Sequence, residues 1–212
     1  MKLHTEPYAT QAARWPASGR HILAQFDDRS VVVYQAYRPA IGAFAVEHGH
    51  FGGPFSLDRM SWIKPNFLWM MYRCGWATKE GQEVVLAVRL RRAAFDRILR
   101  EAVPSAFEPR LYETPEAWKG AVARSSVRLQ WDPDHDPSGA RLERRAIQIG
   151  LRGEALARYA REWVEEIEDV TPFVREQRTF AESRQYGSLL TPREDVYPVE
   201  DPTVAARLGL CQ

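Results

Sequence analysis

The pattern of apolar and polar positions predicts two buried strands and two short helices in the first half of the chain. Residues 30–37 and 82–90 are rich in β-branched and other apolar side chains, which predicts two central strands. Residues 39–49 begin with Pro39 and end with Gly49, which is typical of a short helix. Residues 92–101 place Phe95, Ile98 and Leu99 on one face, which predicts a helix packed on the core.

The second half of the chain has a hairpin pattern followed by the longest amphipathic stretch. Residues 126–131 and 144–151 are predicted strands, and the residues 132–139 between them have the Asp, Pro, Ser and Gly composition of a turn. Residues 153–171 carry apolar side chains at three-and-four spacing, so we predict one helix that Pro172 ends or bends. The polar, proline-containing residues 181–212 are predicted to form an irregular arm.

This order of elements predicts an α+β fold. Strands and helices are mixed and a late hairpin is present, so the expected sheet is mixed, mostly antiparallel, and covered by helices. The chain contains no repeat, low-complexity segment or clear linker, which favours a single domain over residues 1–212. We expect its core to span about residues 25–173, with residues 181–212 as the C-terminal arm.

The most informative stretch is the aromatic segment, residues 59–76. Pro65 suits a first helical turn and Gly75 suits a left-handed helix end. Residues 67–72 are apolar or aromatic at every position, so we expect a helix buried on nearly all sides. Arg59, Lys64 and Arg73 bracket it, and charges are costly to bury without a partner. The segment is either the floor of a pocket for a flat or anionic ligand, or a core helix whose charges simply reach water.

Strand alternation makes a specific prediction for the start of this segment. In an extended approach to the helix, Arg59, Ser61 and Ile63 point one way. Trp62 and Lys64 then point the other way. Arg59 and Lys64 therefore share one pocket only if the chain turns at residue 60 or 61.

Composition and charge exclude several classes. The chain has 212 residues, 45% of them hydrophobic and 27% charged, and a formal net charge of +1, so bulk charge does not favour nucleic acid or an anionic membrane. The polar N-terminus predicts no signal peptide, and the longest apolar run is far below the ~20 residues of a membrane span. The only cysteines, Cys74 and Cys211, form neither a disulfide framework nor a thiolate metal site. We expect a cytoplasmic protein that does not bind membranes.

Several local clusters resemble known chemistry without matching it. Asp132, Asp134, His135 and Asp136 resemble a cation site, but Asp-Pro and Pro-Ser-Gly are turn sequences first, so no metal is predicted. In segment 48–53, the two histidines His48 and His50 are candidate metal ligands or a general base. Alternatively, they are ordinary loop residues. The glycines of this segment match neither the phosphate loop nor the dinucleotide fingerprint, and no nucleophile elbow is present. Kinase and serine hydrolase functions are therefore disfavoured.

Three glutamines interrupt three apolar strands. Gln35, Gln130 and Gln148 need hydrogen-bond partners if buried. Two interpretations are open: each side chain hydrogen-bonds to a nearby loop, or the three side chains line one shared polar cleft. Tyr37 and Arg38 extend the polar end of the first strand, where ligand sites lie in open α/β sheets.

Five runs of the sequence resemble one known family, and they are the runs at residues 33–37, 59–65, 67–73, 127–133 and 145–151. They are similar to the bacterial and fungal family called domain of unknown function 4291. The resemblance covers about residues 25–173, and the tryptophan-rich run is its most specific part. The family name implies no activity.

A more distant resemblance is to ADP-ribosyltransferase-like folds, which hold NAD in a cleft between two small antiparallel sheets. This resemblance implies that Tyr34 or Arg38 steadies the cofactor and that Ser61 or Tyr72 lines the nicotinamide side. The late glutamate of those enzymes would fall on Gln148 or Glu143, and neither lies in a matching motif. A glutamine can position a ribose but cannot act as a base at neutral pH.

Two functions are therefore expected. The first is a nucleotide-dependent transferase with NAD as donor and an unknown acceptor; the second is a non-catalytic module that binds RNA or a modified nucleotide. For the first, the candidate catalytic residues are Tyr34, Gln148 and Glu143. The candidate cofactor-binding residues are Gln35, Arg38, Arg59, Ser61, Trp62, Lys64, Tyr72 and Arg73, with Trp62 or Trp69 stacking on the ligand. For the second, aromatic residues among cations suit stacked bases, and the low net charge limits recognition to one small element.

Overall fold

The computed structural model describes residues 3–211, which form twelve strands, eight α-helices and one π-helical turn. The strands are β1 Thr5–Pro7, β2 Gly19–Arg20, β3 Leu23–Ala24, β4 Ser30–Tyr37, β5 Ser61–Ile63, β6 Val84–Arg91, β7 Val103–Pro104, β8 Val127–His135, β9 Arg141–Leu151, β10 Val164–Asp169, β11 Leu190–Pro192 and β12 Asp195–Val196. The helices are α1 Tyr8–Ala12, α2 Pro39–His48, α3 Phe67–Cys74, α4 Arg92–Glu101, α5 Pro115–Arg124, α6 Gly153–Arg158, α7 Thr171–Glu182 and α8 Pro202–Leu208, and the π-helical turn is Tyr159–Trp163.

The first sheet is antiparallel, with the strand order β10-β6-β4. All eight residues of β4 pair with β6, from Ser30 opposite Arg91 to Tyr37 opposite Val84. Side chains alternate across β4, so Val31 and Val33 enter one apolar cluster while Val32 and Tyr34 enter another. The two clusters are thus the two faces of one sheet.

The second sheet has the order β2-β9-β8-β7, and β5 pairs with the edge of β9. Its β8–β9 pair is the predicted hairpin, while β2 and β7 join in parallel. On the other side of β5, the Tyr34 N–H donates to the Lys64 carbonyl at 2.7 Å and the Lys64 N–H donates back at 3.2 Å. The strand β5 therefore connects the two sheets, and the predicted α+β fold with a mixed, mostly antiparallel sheet is confirmed.

The aromatic helix α3 is confirmed with a small shift of its start. It begins at Phe67 rather than at Pro65, because the Asn66 side chain accepts the Trp69 N–H at 2.7 Å and so caps the helix. It ends where Gly75 adopts a left-handed φ of 57°. The helix is buried except at its last turn, where the Tyr72 side chain is 43% exposed.

The single helix predicted over residues 153–171 is wrong. The structure has α6, the π-helical turn and then the strand β10. Because β6 needs a partner on its second edge, residues 164–169 extend and pair there despite their helical spacing. Charges support the pairing, since Glu166 and Glu165 lie 4.0 Å from Arg89 and Arg91 of β6.

The predicted irregular arm is also corrected, because residues 190–208 contain β11, β12 and α8. Of these, β11 pairs with β1 and β12 pairs with β3 near the N-terminus. A buried carboxylate anchors the arm: Glu194 accepts the Phe67 N–H at 2.6 Å and an Asn66 side-chain N–H at 3.0 Å. The arm is thus part of the core that holds the start of α3.

No helix among residues 3–211 is long and apolar enough to cross a membrane.

Candidate functional site

The polar end of β4 and the start of β5 enclose a cavity of about 370 Å³, which we call the arginine cavity. It is lined by Tyr37, Arg38, Ile41, Pro54, Phe55, Ser56, Arg59, Met60, Ser61 and Gly81. The loop that follows α2 covers one side. The cavity therefore lies where the two sheets meet, at the end of a buried strand.

A hydrogen-bonded network forms the inner wall of the arginine cavity. The hydroxyl oxygens of Tyr37 and Ser61 lie 2.6 Å apart, and the Gln35 amide donates to them at 2.7 and 2.8 Å. On its other side, the Gln35 carbonyl oxygen accepts the Tyr159 hydroxyl at 2.5 Å. Burial raises the pKa of both tyrosines, so their hydroxyls stay neutral donors at physiological pH. The network fixes two hydroxyls at the wall of the cavity.

Two arginines lie at the mouth of the same cavity. Arg38 and Arg59 both have exposed side chains that line it. Neither guanidinium has a hydrogen bond or ion pair with any other described residue, whereas fourteen of the other arginines have a carboxylate or backbone partner or both. The lining residues include no carboxylate. The cavity thus presents uncompensated positive charge beside two hydroxyls, which is the composition of an anion site.

A second polar group, which we call the lysine cluster, consists of Lys64, Gln130, Asp132 and Gln148. Gln130 and Gln148 are cross-strand partners on β8 and β9, and their amides donate to the two oxygens of Asp132 at 2.8 Å each. On β5, Ile63 pairs with Ile149, which brings the next residue, Lys64, beside Gln148. Burial and the nearby Arg73 lower the pKa of Lys64 to about 8, against the opposite influence of Asp132.

Stacked rings flank the lysine cluster on α3. The Tyr72 ring lies 3.5 Å from that of His135 and is also stacked on Trp69. The Arg73 guanidinium lies 6.0 Å from the centre of the Trp69 ring. Burial lowers the pKa of His135, and both of its ring nitrogens are buried without a hydrogen-bond partner in the described part of the chain. Tyr72 is partly exposed, so it is the ring of this stack that contacts solvent.

The structure divides the predicted site residues into two groups. Gln35, Arg38, Arg59 and Ser61 meet at the arginine cavity. Trp62, Lys64, Gln148, Tyr72 and Arg73 lie around the lysine cluster and α3. This division follows the predicted alternation: Arg59 and Ser61 face the cavity, whereas Trp62 packs toward Gly150 of β9 and Lys64 is buried. Arg59 and Lys64 therefore do not share one pocket.

Two candidate catalytic residues belong to neither group. The Tyr34 side chain is fully buried against Phe67 of α3, and among residues 3–211 its hydroxyl has no hydrogen-bond partner. Glu143 is exposed on β9, five residues from Gln148. Alternation places these two on opposite faces of β9, about 16 Å apart along the strand. Glu143 thus does not meet Gln148 in one site, and the Tyr34 hydroxyl forms no hydrogen bond with Gln148.

Other side chains with a role in these groups were not predicted. The Tyr159 hydroxyl donates to Gln35 and so completes that network. It was not predicted because the amphipathic pattern of residues 153–171 indicated only an apolar core position. Asp132 was assigned to a turn, whereas β8 continues to His135. The signal for Asp132 was its spacing of two from Gln130, which puts both on one face of a strand.

The acidic run of residues 132–136 serves three separate structural purposes. Asp132 binds the two glutamines, and Asp134 forms a buried ion pair with Arg144 at 2.7 Å. Asp136 accepts N–H groups of Ser138 and Ala140 and so closes the hairpin turn. Within residues 3–211, no group of three or more His, Cys, Asp or Glu side chains is placed to hold a metal ion.

The sequence matches a known family model over most of its length. The family model described as "Domain of unknown function (DUF4291)" matches residues 21–197. The chain therefore belongs to the DUF4291 family, as its five sequence runs indicated. The match extends past residue 173 into β11 and β12, which is consistent with the C-terminal elements being part of the fold. No curated protein matches the sequence.

Proposed function

We propose that this protein is a nucleotide-dependent transferase that binds the phosphates of its donor, NAD, in the arginine cavity. The observation that carries the proposal is the presence of two guanidiniums, Arg38 and Arg59, without partners among the described residues, at one cavity with two fixed hydroxyls. Guanidiniums bind phosphate oxygens through paired N–H donors, and the lack of a neighbouring carboxylate leaves those donors free for a ligand.

The volume of the arginine cavity limits how much of a nucleotide it can bind. Its volume of about 370 Å³ is near the lower end for small-molecule sites, which run from roughly 300 to 1,000 Å³. It suits a diphosphate and one sugar rather than a whole dinucleotide. The remainder would extend along Met60, which lines the cavity and also packs close to Gly150 of β9.

The proposed reaction follows from the resemblance to ADP-ribosyltransferase-like folds. The bond between the sugar and nicotinamide breaks and nicotinamide leaves with the electron pair. The acceptor then forms the new bond to the sugar carbon and loses its proton to solvent. The Tyr37 and Ser61 hydroxyls would orient the sugar, and the arginines would hold the phosphates while positive charge develops on the ring.

Calorimetric titration with NAD tests this proposal. We expect wild-type protein to bind NAD below millimolar concentration, and we expect Arg59→Ala and Arg38→Ala each to weaken binding about tenfold or more. Arg175→Ala is the matched control, because Arg175 is exposed on α7 and lies outside the cavity. Release of nicotinamide, measured by chromatography, reports the transfer step. No binding at millimolar NAD, or equal binding by all three variants, would contradict the proposal.

A second candidate function is supported by the stack on α3. The half-exposed Tyr72 ring is stacked on His135, with Trp69 and Arg73 beside it, and this group has the composition of a platform for an unpaired base. We propose this non-catalytic RNA or modified-nucleotide binding as the alternative. Binding of a labelled RNA pool should then weaken steeply with salt and be lost in Tyr72→Ala. A response that does not change with salt or with this substitution leaves the transferase as the better explanation.

A further inference from the structure

Lys64 is chemically unusual within this chain. The sequence contains 25 arginines and only four lysines, at positions 2, 64, 79 and 119. Where the fold buries other cations it uses arginine, as at Arg128 and Arg144, which are 6% and 5% exposed. Lys64 is equally buried, at 6% exposed. An arginine keeps its proton in a protein, whereas a buried lysine can lose it and become a nucleophile.

The surroundings of Lys64 differ from those of the buried arginines. Arg144 pairs with Asp134, and Arg128 donates to three backbone carbonyls. The Lys64 ammonium has neither a hydrogen bond nor an ion pair with any residue in the described part of the chain. A buried cation normally has a hydrogen-bond or ion-pair partner. The Lys64 amine lacks one within the described residues, so it is free to interact with a ligand.

A hydrogen-bonded carboxylate lies on the same sheet face as this amine, one residue beyond its neighbour Gln148. Asp132 interacts electrostatically with Lys64, and both of its oxygens accept amide N–H groups, from Gln130 and Gln148. These bonds fix the carboxylate without giving it a cation. Lys64 thus supplies an amine, and Asp132 supplies a proton acceptor, on one face of the β5–β9–β8 sheet.

Burial, more than the neighbouring charges, favours the neutral form of Lys64. Arg73 on α3 repels the ammonium, Cys74 on α3 and Asp132 on β8 act in the opposite direction, and burial has the largest effect. The resulting pKa of about 8 leaves roughly a tenth of the amine neutral at pH 7, far more than an exposed lysine offers. Arg73 is exposed and would meet an anionic group on an arriving ligand.

We propose that Lys64 is the covalent-binding amine of a second site, separate from the arginine cavity, for an aldehyde or ketone that carries a carboxylate or phosphate. The neutral Nζ attacks the carbonyl carbon, and its N–H proton passes through a bridging water to Asp132. Asp132 returns the proton to the former carbonyl oxygen. That oxygen, after gaining a second proton from solvent, leaves as water, and the nitrogen lone pair forms the C=N bond of a protonated imine.

Reductive trapping tests this on the wild-type protein. The protein is incubated at pH 7 with glyoxylate and cyanoborohydride, and the labelled lysines are quantified by peptide mass spectrometry. Lys79 and Lys119, both solvent-accessible, are internal controls. We expect Lys64 to be labelled about tenfold faster than either, because its neutral fraction is larger. Labelling at equal rates, or no labelling of Lys64, would overturn the proposal.

Variants separate the roles of the neighbours. Asp132→Asn should slow labelling of Lys64 severalfold while leaving Lys79 unchanged, and an unchanged Lys64 rate would show that Asp132 takes no part. Acetaldehyde, which lacks an anionic group, should lose most of the preference for Lys64, and an equal preference would refute the role of Arg73. Lys64→Arg keeps the charge but cannot form an imine, and label elsewhere in this variant measures the background. Because none of these readouts requires NAD, the result is independent of the proposed transferase.

Discussion

The hydroxyl oxygens of Tyr37 and Ser61 lie 2.6 Å apart, and this contact joins β4 to β5 at the wall of the arginine cavity. The Gln35 amide donates to both hydroxyls and its carbonyl oxygen accepts the Tyr159 hydroxyl. One buried glutamine thus links the two sheets and the π-helical turn. The candidate binding surface is therefore built on a network that also contributes to the stability of the fold.

Replacing Gln35 with methionine should destabilise the protein by about 1–3 kcal/mol, because three buried hydroxyl groups lose a hydrogen-bond partner at similar side-chain volume. Urea denaturation measures the free energy of unfolding. Gln185→Met is the matched control, since Gln185 is exposed, and it should change stability by no more than about 0.5 kcal/mol. Similar effects of the two substitutions would show that the network contributes nothing.

Lys64 should make stability depend on pH in an unusual direction. Its pKa falls from an ordinary value of 10.5 to about 8 on folding, so between these values the unfolded chain binds the extra proton and stability rises with pH. Below pH 8 both states are protonated and the burial penalty, about 3 kcal/mol, is fully present. Lys64→Met should therefore stabilise the protein at pH 7, with a gain that shrinks as pH approaches 10.

The comparison of wild type and Lys64→Met isolates this effect, because other groups that titrate in the same range cancel in the difference. Thermal or urea unfolding at pH 7, 8, 9 and 10 gives the difference in unfolding free energy. A difference that stays constant over this range would show that the pKa of Lys64 is not lowered.

The buried pair Asp134–Arg144 should be sensitive to loss of one partner. Arg144 donates to Asp134 at 2.8 Å and to the Pro16 carbonyl at 2.7 Å, and its guanidinium lies 5.3 Å from the centre of the Trp15 ring. Asp134→Ala leaves a buried guanidinium without its carboxylate, so we expect a loss of about 3–5 kcal/mol.

An exposed ion pair provides the comparison. Arg97 and Glu101 are one helical turn apart on α4, and because both are solvent-exposed, removal of this pair through Glu101→Ala should change stability far less than Asp134→Ala does. The double variant Asp134→Leu with Arg144→Met should recover most of the loss caused by Asp134→Ala, because no unpaired charge remains. A double variant as unstable as the single one would contradict this account.

Elements defined by local pattern were predictable from the sequence. β4, β6, α2, α4 and the β8–β9 hairpin follow from runs of β-branched residues, from helical spacing or from terminal Pro and Gly. β10 was not predictable in this way, since its apolar positions fit a helix. What decides its conformation is the unfilled edge of β6, which lies over 70 residues earlier in the chain.

The candidate site was predictable one strand at a time. Alternation alone indicated that Arg59 and Ser61 share a face that excludes Lys64. It could not show that Gln35 and Gln148 lie in different networks, because that depends on how β5 is placed between β4 and β9. Likewise, the polar composition of residues 181–212 predicted irregular structure. It could not show that a few buried polar side chains attach ordered strands and a helix to the core.

Glu194 should be the most important side chain of that arm. Its two oxygens accept the Phe67 N–H and an Asn66 amide N–H at the start of α3, and burial raises the pKa of this carboxyl well above its usual range. Glu194→Ala leaves both donors buried without their partner, so we expect a loss of about 1–3 kcal/mol in unfolding free energy. Because α3 carries Trp69, Tyr72 and Arg73, exposure of the Trp69 indole should also increase, which tryptophan fluorescence quenching can detect.

Glu200→Ala in the same arm is the matched control for Glu194→Ala. The Glu200 side chain is 85% exposed and pairs with Arg92 at 3.5 Å, so its removal should change stability by less than about 1 kcal/mol. If the two variants were equally stable, the arm would hold α3 through apolar contacts alone. A selective loss in Glu194→Ala would instead show that this one carboxylate couples the C-terminal arm to the helix beside the lysine cluster.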